Sequence, residues 1–575
     1  MSSWSKLKND IRLKLKNVKP IHYVIIMAIF IVFHLISPSN SSSSNSSKNT
    51  KLPINIPVDD YSAKVLNLYN SGSKGPIDFE WNQFLNIDGF VEKYKSLIEP
   101  LNCEEFGNRI RKSEKTRYNC IDDPDHKVPI SLQENVLLYV DETQRKIFAK
   151  VHLLKSFPNP SKLIYLFHDN KIEIDVNKEP KKLKHKTSNL DKEIPKLTSY
   201  NQDLSAKAPI ELDYEQFNYR TCLNSYKDES PVQQLHEKYK ETRVARKYFS
   251  EAYLLDAQGT FNLDWRFFNS SEVISKDYDT LNMAKMSGII RCWLHFCEKY
   301  NIKSFISDNN LIGWAMNGLH LPMEKDFNFH LPIDDLMKII DMGFNQSIIF
   351  DYSDYNQKVH GSYLLDISPF FKMRDRNNQE NTIDMRLIDI DSGLYIDLIA
   401  LVNFSYERLF NYKAKPILQS LNSNDLIKVD KKIEIYKDKK ENLLYSKDLD
   451  IYRFENLNKL LPVKFENAIG YIPKDYMEIL TNEYFEPLKT SRGSFKFREF
   501  LNFWYPLEWC KMPPFTSVAT KEDDEECLKN PLISGIQKSI SKSASYHEQF
   551  MEWFKNLDVA NYNLKPDDLS AIIYH

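Results

Sequence analysis

Residues Ile21–Ile36 read IHYVIIMAIFIVFHLI, apolar apart from two histidines, and Pro20 and Pro38 bracket the run. As a helix, sixteen residues span about 24 Å, short of the roughly 30 Å hydrocarbon core and suited to a thin early-secretory bilayer. Lys6, Lys8, Arg12, Lys14, Lys16 and Lys19 precede it against only Asp10, and the next basic residue is Lys48. The pattern predicts a transmembrane signal-anchor helix over 21–37, with a basic tail, 1–20, in the cytosol and the rest in a lumen. A cleaved signal peptide is the rival, and the long basic stretch argues against it. A buried core helix is a third reading. Trp4, Leu7, Ile11, Leu15 and Val18 recur at helical spacing. They form either a short helix on the cytosolic leaflet or a solvated flank that only sets topology. Residues 38–52, rich in Ser and Asn, read as a stalk.

Beyond the stalk, 53–244 mixes aromatic runs with turn signals. VLLYVDETQRKIFAKVHLL at 136–154 alternates around Asp141-Glu142-Thr143, which predicts a hairpin. Residues 170–210 are Lys-rich, with KEPKKLKHKTSN at 178–189, and read as a surface linker or insertion; a phosphate-binding patch is the alternative. Leu281, Met286, Ile289, Trp293, Cys297 and Tyr300 then follow i, i+3, i+4 spacing, an amphipathic helix with Asp279 or Thr280 as its cap. Ser304-Phe305-Ile306 starts a strand, Asn317-Gly318 turns, and 332–344 is helical with Pro332 at its start. In IDMRLIDIDSGLYIDLIALV, from Ile383, two β-rich runs flank Asp391-Ser392-Gly393, a hairpin signal. A two-residue loop pairs Ile388 with Asp397 and points Asp389 to the other face. A three-residue bulged loop pairs Leu387 with Asp397 and brings Asp389 onto the same face; sequence allows both. In either register Asp397 sits in an apolar strand, where a carboxylate needs a cation, a hydrogen-bond network or solvent.

Composition narrows the chemistry. The 575 residues include 42% hydrophobic and 27% charged residues, enough apolar material for a large core and for more than one domain. A net charge of −2 argues against a nucleic-acid partner. Glycine is scarce, 14 in all, and neither GxGxxG nor GxxxxGK[ST] occurs, which excludes the common dinucleotide and phosphate loops. The cysteines, Cys103, Cys120, Cys222, Cys292, Cys297, Cys510 and Cys527, match no zinc spacing. Cys103–Cys120 and Cys510–Cys527 are candidate local disulfides, whereas Cys292 and Cys297 read as packing residues of one helix. In a lumen the sequons at Asn40, Asn45, Asn269, Asn345 and Asn403 become glycosylation acceptors. His320, His330 and His360 share no metal-like spacing and read as hydrogen-bonding residues.

Three blocks carry a family resemblance: SDNNLIGWAMNGLHLP at 307–322, PMEKDFNFHLP at 322–332 and IDMRLIDIDSGLYIDLIAL from Ile383. DWRFFN at 264–269 and YIPKDYMEILTNEYFEP at 471–487 support them. Over roughly 245–510 the chain resembles the LicD/fukutin family, in its fungal mannosylphosphate-transfer branch. The resemblance implies an α+β fold, a nucleotidyltransferase-like mixed sheet with flanking helices over 245–510; a C-terminal helical extension is expected beyond it, at 511–575. It implies transfer of mannose-1-phosphate from GDP-mannose to mannose on glycoprotein glycans, in a type II Golgi membrane protein. Carboxylates would hold Mn²⁺ or Mg²⁺, which neutralises the phosphates during in-line displacement. Mapped here, the metal ligands are Asp326, Asn328 and Asp397. Asp326 and Asp397 carry the catalytic role, with Asp389 as general base if the hairpin is bulged. The turn that approaches the donor phosphates maps to Asn309, Asn310 and Gly313.

The sequence departs from the family pattern at the second acid, which is Asn328, and at Met323, Glu324, Lys325 and Asn309. Asn offers a metal one neutral oxygen, and Lys325 puts a positive charge beside it. These departures motivate a second reading, a non-catalytic partner or regulator of another Golgi transferase. A third is a glycan-binding module that needs no nucleotide.

Overall fold

The computed structural model describes residues between 59 and 529, in the main 59–98, 142–184, 207–221, 248–267, 278–353, 361–404 and 442–506, with short gaps inside several of these stretches. The predicted anchor at 21–37, the stalk, the 511–575 extension apart from two residues, and all cysteines except Cys292 and Cys297 lie outside the described residues. Among the described residues no helix is long and apolar enough to cross a membrane.

The architecture is mixed α+β, built on a ten-stranded sheet. Its strands are β1 (Lys162–Phe167), β2 (Lys171–Asp175), β3 (Phe305–Ile306), β4 (Asn328–Pro332) and β5 (Ser347–Tyr352). They continue with β6 (Ser362–Ile367), β7 (Met385–Asp389), β8 (Tyr395–Phe404), β9 (Leu443–Tyr445) and β10 (Ile451–Arg453). The spatial order is β10-β9-β8-β7-β6-β5-β1-β2, with β4 paired to β8 and to β3. Pairs β1–β5 and β4–β8 are parallel and the others antiparallel. Central strands such as β4, β7 and β1 are buried almost throughout, so they read as continuous apolar runs rather than alternating ones.

Two segments differ from their sequence reading. Residues Glu142–Lys155 form a helix, α2, not the arm of a hairpin. Its Ile147, Ala149, Val151, His152 and Leu153 are all buried, so a helix covered on most sides imitates strand alternation. Within the Lys-rich stretch, Lys171–Asp175 is an edge strand whose Ile172 and Ile174 face inward while Lys171, Glu173 and Asp175 stay outside. Because β1 and β2 extend the same sheet as β5–β8, the sheet crosses the boundary expected near 245.

The other helices of eight or more residues among the described residues are α1 (Asp60–Asn70), α3 (Tyr278–Tyr300), α4 (Asp308–Asn317), α5 (Ile333–Asp341) and α6 (Tyr476–Glu483). Helix α3 follows the predicted periodicity, although Asp279 and Thr280 fall inside it rather than capping it. It buries Ile289, Ile290, Trp293, Leu294 and Phe296 against the sheet, and Trp293 Nε1 donates to Ser304 Oγ at 3.0 Å. Cys292 and Cys297 are buried free thiols of this packing face. Helix α4 ends at Gly318, whose φ of 80° is left-handed geometry that glycine adopts without strain. Pro332 caps α5, and Ile333, Leu336, Met337, Ile339 and Ile340 bury one stripe of it.

Candidate functional site

The hairpin β7–β8 closes in neither expected register. Arg386 stands opposite Asp397, Leu387 opposite Ile396 and Ile388 opposite Tyr395. The turn from Ile390 to Gly393 is closed by Asp389 N–H donating to Leu394 O at 2.7 Å and Gly393 N–H to Asp389 O at 2.8 Å. Gly393 has φ of 80°, and an added Cβ would lie 3.1 Å from Asp264 O, so this turn docks tightly on the Asp264 segment. Strand alternation therefore puts Asp389 on the opposite face from Asp397. Asp389 accepts from Ser392 N–H and Oγ–H and lies 3.4 Å from Lys285 Nζ of α3. Burial raises its pKa against the pull of Lys285, and Asp391 adds to the rise. The condition that made it a general base beside Asp397 is not met.

On the other face a polar row crosses four strands at one level. Arg386 faces Asp366 of β6 on one side and Asp397 of β8 on the other, and Asp397 faces Asn328 of β4. Arg386 grips Asp397 with two donors, Nε to Oδ1 at 2.7 Å and Nη2 to Oδ2 at 3.1 Å. Its guanidinium lies 3.6 Å over the Tyr395 ring. Arg266 fixes Asp264 through Nε and Nη2, at 2.9 and 3.0 Å, and reaches Asp366 through Nη1 at 2.5 Å. Every member of this network is buried. Burial opposes the charge on Asp264, yet Arg266 and Arg386 hold its carboxyl below the usual range.

The structure brings Asn328 and Asp397 together as the resemblance requires, and Asn310 Nδ2 donates to Asn328 O at 3.0 Å. Asp326 lies outside the described residues. The described pair does not fit a divalent cation. Asp397 is neutralised by a bidentate guanidinium, and Asn328 adds only a neutral oxygen, its Oδ1, which is buried with no hydrogen-bond partner among the described residues. The donor-loop residues also turn inward. Asn309 Nδ2 donates to Glu324 Oε2 at 2.8 Å, so two positions that depart from the family pattern hold each other. Gly313 lies inside α4, and a Cβ there would stand 2.4 Å from Leu319 O, so its close approach is to the chain's own backbone rather than to a phosphate.

Two positions along β4, about 7 Å away on the same face, the strand places a second cluster. His330 is fully buried, and its Nε2 lies 3.4 Å from Asp450 Oδ2 and 3.7 Å from Asp308 Oδ2. Its Nδ1 is 3.2 Å from Ile399 O; a carbonyl can only accept, so Nδ1 carries the proton. Burial alone would lower the imidazole pKa, but the hydrogen-bonding reach of Asp450 and the charge of Asp308 outweigh it and raise it to about 9. Asp450 sits in the β9–β10 turn, where its Oδ2 accepts from Ser446 Oγ at 2.7 Å. Asp308 opens α4 with φ of 49°, left-handed geometry for a non-glycine residue.

No known family profile matches the chain. Two curated yeast proteins are similar to it. Mannosyltransferase regulator 4 of Saccharomyces cerevisiae is 35% identical over 164 residues, 28% of this chain and 13% of that protein. Mannosyltransferase regulator 14 of the same yeast is 25% identical over 399 residues, 56% of this chain and 42% of the relative. The matched part is thus less than half the length of either relative.

Sequence reasoning assigned His330 to hydrogen bonding and did not single out Asp308 or Asp450. The signal was partial: Asp308 and His330 lie in the first two resembling blocks, but Asp450 falls in none of them. His320 does hydrogen-bond, its Nδ1 and backbone N–H both on Glu466 Oε1, at 2.7 and 2.6 Å. His360, Asn40, Asn45 and Asn269 lie outside the described residues. Asn403 is partly buried in β8. The expectation at Asn345 is corrected: the residue is 3% exposed and its Oδ1 accepts from Ile367 N–H at 3.1 Å, leaving a glycan no room in the folded chain.

Proposed function

We propose that this chain acts in mannosylphosphorylation of glycoprotein glycans as a non-catalytic regulator of a mannosyltransferase. It would be anchored in the Golgi membrane with its mixed sheet in the lumen. The observation that carries the reading is Arg386 holding both oxygens of Asp397, where the resemblance expects a metal-binding carboxylate. A guanidinium supplies there the positive charge that an ion otherwise would. The nucleotidyltransferase-like frame is then kept as a scaffold, with its reactive centre filled by internal ion pairs and by the Asn309–Glu324 contact. The names of the two yeast relatives agree with regulation.

The test is GMP release from GDP-mannose with Mn²⁺ by the purified chain, alone and mixed with a mannosylphosphate-transferring Golgi enzyme. No release alone, stimulation of the enzyme and co-purification with it are expected. Release by the chain alone that Asp326→Ala abolishes overturns the reading. It would favour direct transfer, which the pairing of Asn328 with Asp397 supports.

A further inference from the structure

The Asp308–His330–Asp450 cluster differs from an ordinary acidic patch in three ways. First, its centre is a nitrogen. His330 is 0% exposed, and Nε2 makes no acceptable hydrogen bond among the described residues although it points between two carboxylates. Second, the other ring nitrogen is already committed. Nδ1–H donates to Ile399 O, which commits that nitrogen and leaves Nε2 facing Asp308 and Asp450. A backbone carbonyl on the far nitrogen is the usual way a metal-binding histidine is oriented. Third, the spacing suits an ion. Ligands about 2.0–2.1 Å from a tetrahedral cation stand about 3.3–3.4 Å apart. Nε2 is 3.4 Å from Asp450 Oδ2 and 3.7 Å from Asp308 Oδ2, and the three ligand atoms lie within 4.8 Å of one another.

The surroundings hold these atoms in place. Ser446 Oγ donates to Asp450 Oδ2 at 2.7 Å, and Ser446 Oγ also accepts the Asp450 N–H at 3.0 Å, which fixes the turn. Ser307 Oγ lies 3.4 Å from Asp308 Oδ2. The left-handed φ of Asp308 is a strained conformation of the kind found where a side chain is aimed for a purpose. The two carboxylates are partly open, 18% and 14% exposed, so an ion has a way in and room for water as a further ligand.

We propose that Asp308, His330 and Asp450 form a binding site for one divalent transition-metal ion of the Zn²⁺ or Mn²⁺ class. One imidazole nitrogen and two carboxylate oxygens favour these ions over Ca²⁺ and Mg²⁺, which prefer oxygen alone. The ion ties three separate pieces together: the start of α4, the middle of β4 and the β9–β10 turn. It uses none of Asp326, Asn328 and Asp397, the residues to which the family resemblance points. The proposal stands whether the chain regulates a transferase or is one.

The experiment uses the full purified chain, stripped with EDTA and titrated with MnCl₂, ZnCl₂, MgCl₂ and CaCl₂. Thermal melting and, for Mn²⁺, electron paramagnetic resonance are the readouts. Saturable binding of one Mn²⁺ or Zn²⁺ per chain, a raised melting temperature and a nitrogen coupled to the bound Mn²⁺ are expected. Asp450→Asn and Asp308→Asn should each weaken binding at least tenfold, and His330→Gln should remove the nitrogen signal. Because the nitrogen signal is read on the wild-type chain, a variant that fails to fold does not shelter the proposal. No saturable binding, bound Mn²⁺ without a coupled nitrogen, or binding that Asp326→Ala abolishes while Asp450→Asn spares, overturns it. The GMP assay reads the regulator proposal separately.

Discussion

Two charge clusters share one face of the sheet and solve the burial of carboxylates differently. In the row through Arg386, the carboxylates of Asp264, Asp366 and Asp397 meet two guanidiniums, and Tyr248 Oη lies 3.3 Å from Asp366. Around His330, two carboxylates meet one imidazole, which offers a single nitrogen and carries charge only when protonated. Arginine stays charged at any pH the protein meets and reaches two partners at once, so the carboxylates of the first cluster find their counter-charge within the chain. The second keeps a buried ring nitrogen with no hydrogen bond of good geometry among the described residues, and partial access to solvent at its carboxylates. The contrast separates a cluster that builds the fold from one that can take something up.

The sharpest way to break this contrast is to remove the guanidinium. Arg386→Met leaves Asp397 buried without its bidentate partner, and losing one member of a buried pair costs about 3–5 kcal/mol. Chemical denaturation should show a loss of that size. Adding Asp397→Leu should recover most of it, because replacing both partners removes the stranded charge. A double variant no better than Arg386→Met would mean that the row contributes through Asp264 and Asp366 rather than through Asp397.

The next effect belongs to the second cluster and depends on ligand. A metal at one hundred times its dissociation constant should stabilise the folded chain by about 2.7 kcal/mol. At the same metal concentration the gain should fall by at least about half in Asp450→Asn, and it should persist in a destabilised Arg386 variant that still folds. Melting curves with and without Mn²⁺ on both variants check this. Equal gains in both would merge the two clusters into one electrostatic unit.

Much of the frame was legible because apolar spacing is a local signal. The i, i+3, i+4 pattern from Leu281 to Tyr300 marks α3, and Pro332 marks the start of α5. Register is different, since a slip of one residue changes every facing pair while the pattern stays the same. Only the pairing of Arg386 with Asp397 explains why that carboxylate tolerates an apolar strand. The resemblance directs attention to carboxylates, yet the guanidinium two positions from Ile388 decides their state. The same limit hid the His330 cluster: Asp308 and Asp450 lie far apart in sequence and meet only through the β9–β10 turn. Helix α2 was misread because its burial on most sides erases the polar stripe that marks an amphipathic helix.

A carboxylate with neither guanidinium nor imidazole completes the series. Asp335, in the first turn of α5, is 3% exposed, and its Oδ2 has no hydrogen-bond partner among the described residues. Burial lifts its pKa from the ordinary 3.8 to about 6, against the Lys303 backbone N–H and the charges of Lys338 and Lys303. The folded state therefore holds this proton more tightly than the unfolded chain. Its stabilising effect is complete below about pH 4 and is lost as the pH rises through about 6. Asp335→Asn removes the ionisation, so it should be more stable than wild type above pH 6 by on the order of 2 kcal/mol, with little difference near pH 4. Melting temperatures of both chains across pH 4–8 test this. A wild-type curve parallel to that of the variant would show that the helix N-terminus and the nearby lysines already satisfy the charge, as arginine does for Asp397.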